Sequence, residues 1–348
     1  MADLGSKKKK VSLWYTITHQ KELGRKEYLK LINRVIVFVA LAFLFSTAIF
    51  IVIALLEGGG NVIQYILTAN IQIFITAFFL MFGSLLVKFI KWSYYIRKFR
   101  LKLPLTKSLG IYLSMYSMDL TPGNIGRVVS AYTLSKVTTT SPAQVTPIVI
   151  MDIFTDSIGF AILTAISAFY FNDLTVPVLI ADILLLTPVF VFFISPWFYR
   201  MMKNFMLRHD KWKIFSIYGD EYFASQTILN KWDVYAVSIL VSVTAAFMQA
   251  SVFFMVLLSL GIHAPLGSSV FVSSSSQLFG MISALPGNLG VTDASLIAFS
   301  QQVLGITGAQ AAAATIMSRL VTLWFSVGTG GVLLFYTLRY WKVRKRNA

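Results

Sequence analysis

The chain has 348 residues, of which 57% are hydrophobic and 13% charged, with a formal net charge of +16 and no cysteine. That much apolar side chain, 29 Phe included, exceeds what a soluble domain can bury, and the lack of Cys leaves no disulfide framework and no thiolate metal site. Long apolar runs without short alternating strands predict an all-α, polytopic membrane protein and not a closed barrel.

In chain order, residues 1–34 form a basic arm whose KKKK run has no apolar core directly behind it, so it reads as a cytoplasmic arm and not as a secretion signal. Residues 35–338 read as one transmembrane domain and 339–348 as a basic cytoplasmic tail. Six stretches within the domain are long enough to span about 30 Å of hydrocarbon at about 1.5 Å per residue. They are 35–56, 65–90, 146–171, 176–198, 234–261 and 309–338. Pro188 is expected to kink the fourth.

Lys and Arg set the orientation. The arm to Arg34, the segments 88–107 and 200–231, and the tail from Arg339 hold 27 of the 30 basic residues. The connections 57–64, 172–175 and 262–267 hold none. The basic segments and both termini are therefore placed in the cytoplasm, in a cell membrane, and the short connections outside. On that count residues 108–145 begin and end inside, while 265–308 begin and end outside.

Both intervals carry a broken pattern. LGIYLSMYSMDL (109–120) is about 18 Å long as a helix and cannot cross. PGNIG follows it at 122–126, and PGNLG stands at 286–290. The matches continue, since AQVTPIVIM (143–151) aligns with AQAAAATIM (309–317). The expectation is two units of span, re-entrant hairpin and span, in opposite orientations. Repeat one covers about 65–171 and repeat two about 234–338, with hairpins at about 108–137 and 268–305. Inverted repeats of this kind are common in secondary transporters.

The tips suggest chemistry. Pro ends one half-helix, Gly123 and Gly287 permit the turn, and Asn124 and Asn288 are placed to cap the next half-helix. Gly126 and Gly290 complete the tips and are counted with Gly123, Asn124, Gly287 and Asn288 as substrate-binding candidates. Each following half-helix starts with unpaired N–H groups and about half a positive charge, which suits phosphate. Three basic residues remain outside the cytoplasmic segments: Arg127, Lys136 and Arg319. Ionisable groups at bilayer depth are costly and tend to be functional. Arg127 and Arg319 are thus candidates to hold an anionic group, with Asp293 beside the second tip. Asp119, Asp152 and Asp156 would balance charge or carry a coupling proton; Asp152 and Asp156 share a helix face by their i, i+4 spacing. The alternative is that these charges form salt bridges that fix helix packing. Lys136 is expected to snorkel to the surface, and Asp182 to sit at a solvated rim. Ser273 to Ser276 and Gln277 are read as close-packing positions in preference to a hydrophilic groove.

The segments 91–107 and 200–217 mix basic and aromatic residues and read as interfacial elements on anionic inner-leaflet headgroups. That placement argues against nucleic acid as a partner. No phosphate-loop, GxSxG or HExxH motif is present, and His19, His209 and His263 fall in separate loops. No cofactor and no metal is expected, and the chain is read as a non-enzyme.

TPGNIGRVVSAYTLSK, a span carrying DIFTD, LPGNLGVTDASL and TIMSRLVTLWFSVG together resemble the lysylphosphatidylglycerol synthase transmembrane-region family, over about residues 35–340. The resemblance implies a flippase-like membrane protein, with Asp293 and Arg319 matching the acid of the second motif and the Arg of the last span. The first motif departs from the family's acid-then-Arg pattern, holding Arg127 and Ser130 in those places. The soluble aminoacyl-transfer domain is not seen, so no lysyl transfer is expected. The reading is a transporter of an anionic or phosphate-headed lipid, with membrane lipids as partners. Two alternatives stay open: an ion-coupled carrier of a small anion, and a membrane subunit or enzyme of lipid or glycan assembly beside a separate transferase.

Overall fold

The computed structural model describes residues 43–121, 126–169, 213–283 and 285–345, with isolated positions elsewhere. Residues 46–348 form one compact unit. The described residues are helical, without a strand. The helices are α1 (Phe43–Leu56), α2 (Gly59–Leu67), α3 (Ile71–Lys98), α4 (Leu105–Ser114), α5 (Val128–Thr138), α6 (Pro142–Ala168), α7 (Lys213–Leu229), α8 (Trp232–Ser259), α9 (Leu266–Ser283), α10 (Val291–Leu304), α11 (Gly308–Arg319) and α12 (Phe325–Lys345). A 3₁₀ turn, Met115–Met118, ends α4, and a π turn, Leu320–Trp324, joins α11 to α12.

Four of these stretches are long and apolar enough to cross a membrane: Ile71–Lys98, Pro142–Ala168, Trp232–Ser259 and Gly308–Tyr336. The pair α1 and α2, bent by 109°, makes a fifth if it is one broken span. Large apolar side chains such as Phe79 and Leu240 face outward, while Lys, Arg and Asp lie inside. A protein that buries charge and exposes Phe and Leu is solvated by lipid. It is a multi-pass membrane protein.

Local sequence explains where the long helices start. Asn70 caps α3, its side chain accepting from the amides of Gln72 and Ile73 at 3.0 and 3.3 Å. Ser141 and Gln144 form a capping box at the start of α6. Thr307 and Gln310 form another at the start of α11. Each box satisfies two amides that would otherwise be orphaned in an apolar setting.

The packing is cross-wise. α3 lies along α8. α6 packs on α9 and on α8, crossing α8 at Gly159, where a Cβ would stand 2.8 Å from the Ser242 backbone. α12 packs on α4 and its 3₁₀ turn, and a Cβ on Gly330 would collide with the Ser117 amide. Small residues let these backbones approach closely. Each hairpin is therefore covered by a helix from the other half of the chain.

Several sequence expectations need correction. Residues 59–67, expected partly as an outer loop, are helical and turn sharply against α1. The second span runs from Ile71 to Lys98 in place of 65–90. The segment 91–107 is not an interfacial element throughout, because 91–98 continues α3, with Lys91, Trp92 and Tyr95 buried. Charge alone misplaced that boundary; the first real helix breaker after Lys88 is Pro104. Short helix pairs, α4 with α5 and α9 with α10, cover the two intervals where hairpins were expected, and residues 122–125 between α4 and α5 lie outside the described residues. The basic arm, the fourth stretch with Asp182 and Pro188, and most of 200–217 lie outside the described residues.

Candidate functional site

The second tip is the more fully described. Leu285 is extended, and Pro286–Asn288 make a 3₁₀ turn. Gly287 and Asn288 both have left-handed backbones, at φ +61° and +56°, which Gly and Asn tolerate best. Gly290, at φ +84°, caps α10. Asn288 is not the cap expected from sequence: it falls two residues short, and its buried Oδ1 has no hydrogen-bond partner. Instead Asp293, in the first turn of α10, accepts from the Gly290 amide at 2.8 Å. The carboxylate also complements the positive helix end, so Asp293 already occupies the position an anion would take.

Asp293 holds Arg319 in turn. Arg319 Nε lies 2.9 Å from Asp293 Oδ1, and its Nη2 donates to the Gly287 carbonyl at 2.6 Å. Arg319 is the last residue of α11, immediately before the π turn, a local widening often found at functional positions. Thr292 and Thr315 are fully buried with unpartnered hydroxyls. Gly280 of α9 leaves the room that the Thr292 hydroxyl and Asn288 occupy.

At the first tip, Gly123 and Asn124 lie outside the described residues. Thr121 joins the two sides of that gap in the described chain: its hydroxyl donates to the Met118 carbonyl at 2.6 Å and accepts from the Gly126 amide at 2.8 Å. Arg127 forms a bidentate pair with Asp119, at 2.5 and 2.7 Å. The guanidinium stacks over the Tyr116 ring, 4.7 Å from its centroid. Tyr116 meets Tyr112 hydroxyl to hydroxyl at 2.6 Å.

The tips meet. A Cβ built on Gly287 would stand 3.1 Å from a methyl of Leu120, the residue just ahead of the first tip, and 3.5 Å from a methyl of Leu323.

Asp152 and Asp156 do not face Arg319. Their partners are Lys88 and Lys91 of α3, which sequence reasoning assigned to the cytoplasmic surface. Lys91 Nζ lies 3.1 Å from Asp152 Oδ1 and 2.7 Å from Asp156 Oδ1, and it also donates to the Thr155 and Ser242 hydroxyls. Lys88 Nζ is 3.0 Å from Asp156 Oδ2 and bonds Gln249 at 3.3 Å. A signal for this was present: Lys88, Lys91, Trp92 and Tyr95 stand at i, i+3, i+4 and i+7, the stripe of one helix face. The tyrosines Tyr112 and Tyr116 were missed because nothing local marks an aromatic as a partner for a distant charge.

Among the described residues, every buried Lys or Arg faces a carboxylate: Lys88, Lys91, Arg127 and Arg319 against Asp156, Asp152, Asp119 and Asp293. Among the described residues these four buried cations are balanced by four carboxylates. Lys136 lies on α5, its side chain outside the described residues. Ser273 to Ser276 are buried in α9; the hydroxyls of Ser274, Ser275 and Ser276 return to carbonyls of their own helix.

Comparison with known proteins adds one match. No curated protein matches the chain. The family described as "Lysylphosphatidylglycerol synthase TM region" matches residues 37–330, a span that contains both tips, both arginines and the lysine–aspartate cluster. The chain belongs to that family.

Proposed function

We propose that the protein is a flippase-like lipid transporter, moving an anionic or phosphate-headed lipid between leaflets of the cell membrane with both termini cytoplasmic. The observation that carries this is the contact of Leu120, just ahead of the first PGN stretch, with Gly287 of the second, with a buried arginine on each side. Non-helical backbone at membrane depth is tolerated within protein or beside a wet cavity. The hairpins are read as re-entrant, one from each face, in an inverted repeat. Matching capping boxes at Ser141 and Thr307 support that reading, as does the packing of each trailing helix on the other half's hairpin.

In this reading the closed state holds each arginine with an internal carboxylate. Each pair lies within one half of the chain, so a phosphate headgroup entering between the hairpins competes with Asp119 and Asp293 for the two guanidiniums. The acyl chains stay in the bilayer. Rocking of the two halves then exposes the headgroup to the other face.

The test is reconstitution in vesicles of phosphatidylcholine and phosphatidylglycerol with a trace of fluorescent short-chain phosphatidylglycerol. The expected result is transbilayer movement in the parent protein and at least a tenfold slower rate in Arg127→Ala, Arg319→Ala. Unchanged movement in that variant sinks the site. Uptake of water-soluble phosphate without lipid movement favours the small-anion alternative, and neither activity favours a subunit of an assembly enzyme.

A further inference from the structure

We infer that Asp152 is the proton-binding residue of this transport cycle, and that Asp156 is a fixed anchor for the two lysines beside it. The inference rests on the transporter reading for its cycle, but the proton site stands on its own geometry.

The two acids lie one turn apart on α6 and share Lys91, but differ in their other contacts. Asp156 faces both ammonium groups, at 2.7 and 3.0 Å, and accepts from Ser242 at 3.1 Å. Asp152 is fully buried and faces only Lys91, at 3.1 Å, without hydrogen-bond geometry; its Oδ2 has no partner. Lys91 spends its donors elsewhere, on Asp156, Thr155, Ser242 and the Asp152 carbonyl. A buried carboxylate with a bare oxygen is stabilised by taking a proton there.

The charged surroundings allow either state. α3 supplies Lys88, Lys91 and Tyr95; the first hairpin brings Tyr112, Tyr116 and Arg127 within electrostatic range. α8 presents Ser242 and Gln249, and α9 has no ionisable residue. Glu221 of α7 is engaged with Ser141, at the far start of α6. Lys88 and Lys91 balance Asp152 and Asp156 when both acids are ionised, and protonation of Asp152 leaves one surplus positive charge. That surplus favours the state in which an anionic headgroup is bound nearby, which is what coupling requires. The step balances as a proton relay: a hydronium ion on one side breaks an O–H bond to protonate Asp152 Oδ2 and leaves water, and on the other side the new O–H bond breaks to give the proton to water as hydronium when the halves have rocked.

Two measurements separate the parts. Infrared difference spectra of the reconstituted protein between about pH 5 and about pH 8 should show a protonated-carboxyl C=O band in the parent. The band should be lost in Asp152→Asn and kept in Asp156→Asn. In the vesicles described above, a pH gradient of about one unit should shift the fluorescent phosphatidylglycerol between leaflets by up to about tenfold. Asp152→Asn should still exchange lipid but show no shift, and Asp152→Glu should restore it. No band, or a band unchanged in Asp152→Asn, overturns the proton site. Exchange in the parent without any gradient-driven shift overturns the coupling. If the parent moves no lipid, the transporter reading and the coupling fail together, while the infrared band still decides whether Asp152 carries the proton.

Discussion

Arg319 reaches across the second tip to Asp293: its Nε stands 2.9 Å from the carboxylate, and its Nη2 binds the Gly287 carbonyl at 2.6 Å. One side chain from the last span thus fixes both sides of a break in the chain. The pair is almost wholly buried, so removing one partner strands the other. Arg319→Ala is expected to lower stability by about 3–5 kcal/mol, read as a lower unfolding temperature in detergent. The double variant Arg319→Ala, Asp293→Ala should recover part of that loss. A double variant as unstable as the sum of the singles would show that the two residues do not act as a pair.

Lys91 and Lys98 lie on the same helix with opposite surroundings. Lys91 is fully buried against two acids, whereas the Lys98–Asp233 pair is partly exposed. Lys91→Met should destabilise by about 3–5 kcal/mol, since it leaves two carboxylates without their shared cation. Lys98→Met should change thermal stability little. Equal effects would contradict the burial that places α3 through residue 98.

Gly330 and Gly328 offer a control within one helix. A Cβ at Gly330 meets the backbone of Ser117, while one at Gly328 meets nothing within 4 Å. Gly330→Ala should cost about 1–3 kcal/mol through forced separation of α12 from the first hairpin. Gly328→Ala should be neutral or stabilising by up to about 1 kcal/mol. Thermal unfolding of the two variants side by side checks the contact.

The caps make a further pair. Ser141→Ala and Thr307→Ala should each lower stability by about 1 kcal/mol, because each removes the acceptor for a first-turn amide. Hydrogen exchange confined to the first turns of α6 and α11 would report the loss directly.

The cysteine-free chain allows topology to be read from single replacements. Asn61→Cys and Arg97→Cys sit at exposed positions toward opposite ends of the second span. An impermeant thiol reagent is expected to label Asn61→Cys from outside and Arg97→Cys from within. Labelling of both from one side would overturn the orientation.

The helix breaks at 119–121 and 285–290 were legible because their cause is local. Twelve residues cannot cross a bilayer, Pro-Gly-Asn cannot continue a helix, and the repeated tip says the break happens twice. The end of α3 was not legible from charge. Lys88 and Lys91 look like surface residues until their acids arrive from α6, more than sixty positions away. The same blindness placed Asp152 and Asp156 beside the wrong cations. Asn288 was misread for a smaller reason: capping depends on which residue the turn leaves at the helix start, and the positive φ of Gly287 and Asn288 moved that start to Gly290.

Sequence by itself determined the solvent of this protein, its helices and the two places where they break, because hydropathy, length and turn chemistry act within a few residues. Only the tertiary structure decided which charges neutralise which. Ion pairing in a dry interior is set by distance between elements that no local pattern records, and a lysine becomes an interior residue only when a distant carboxylate makes burial tolerable.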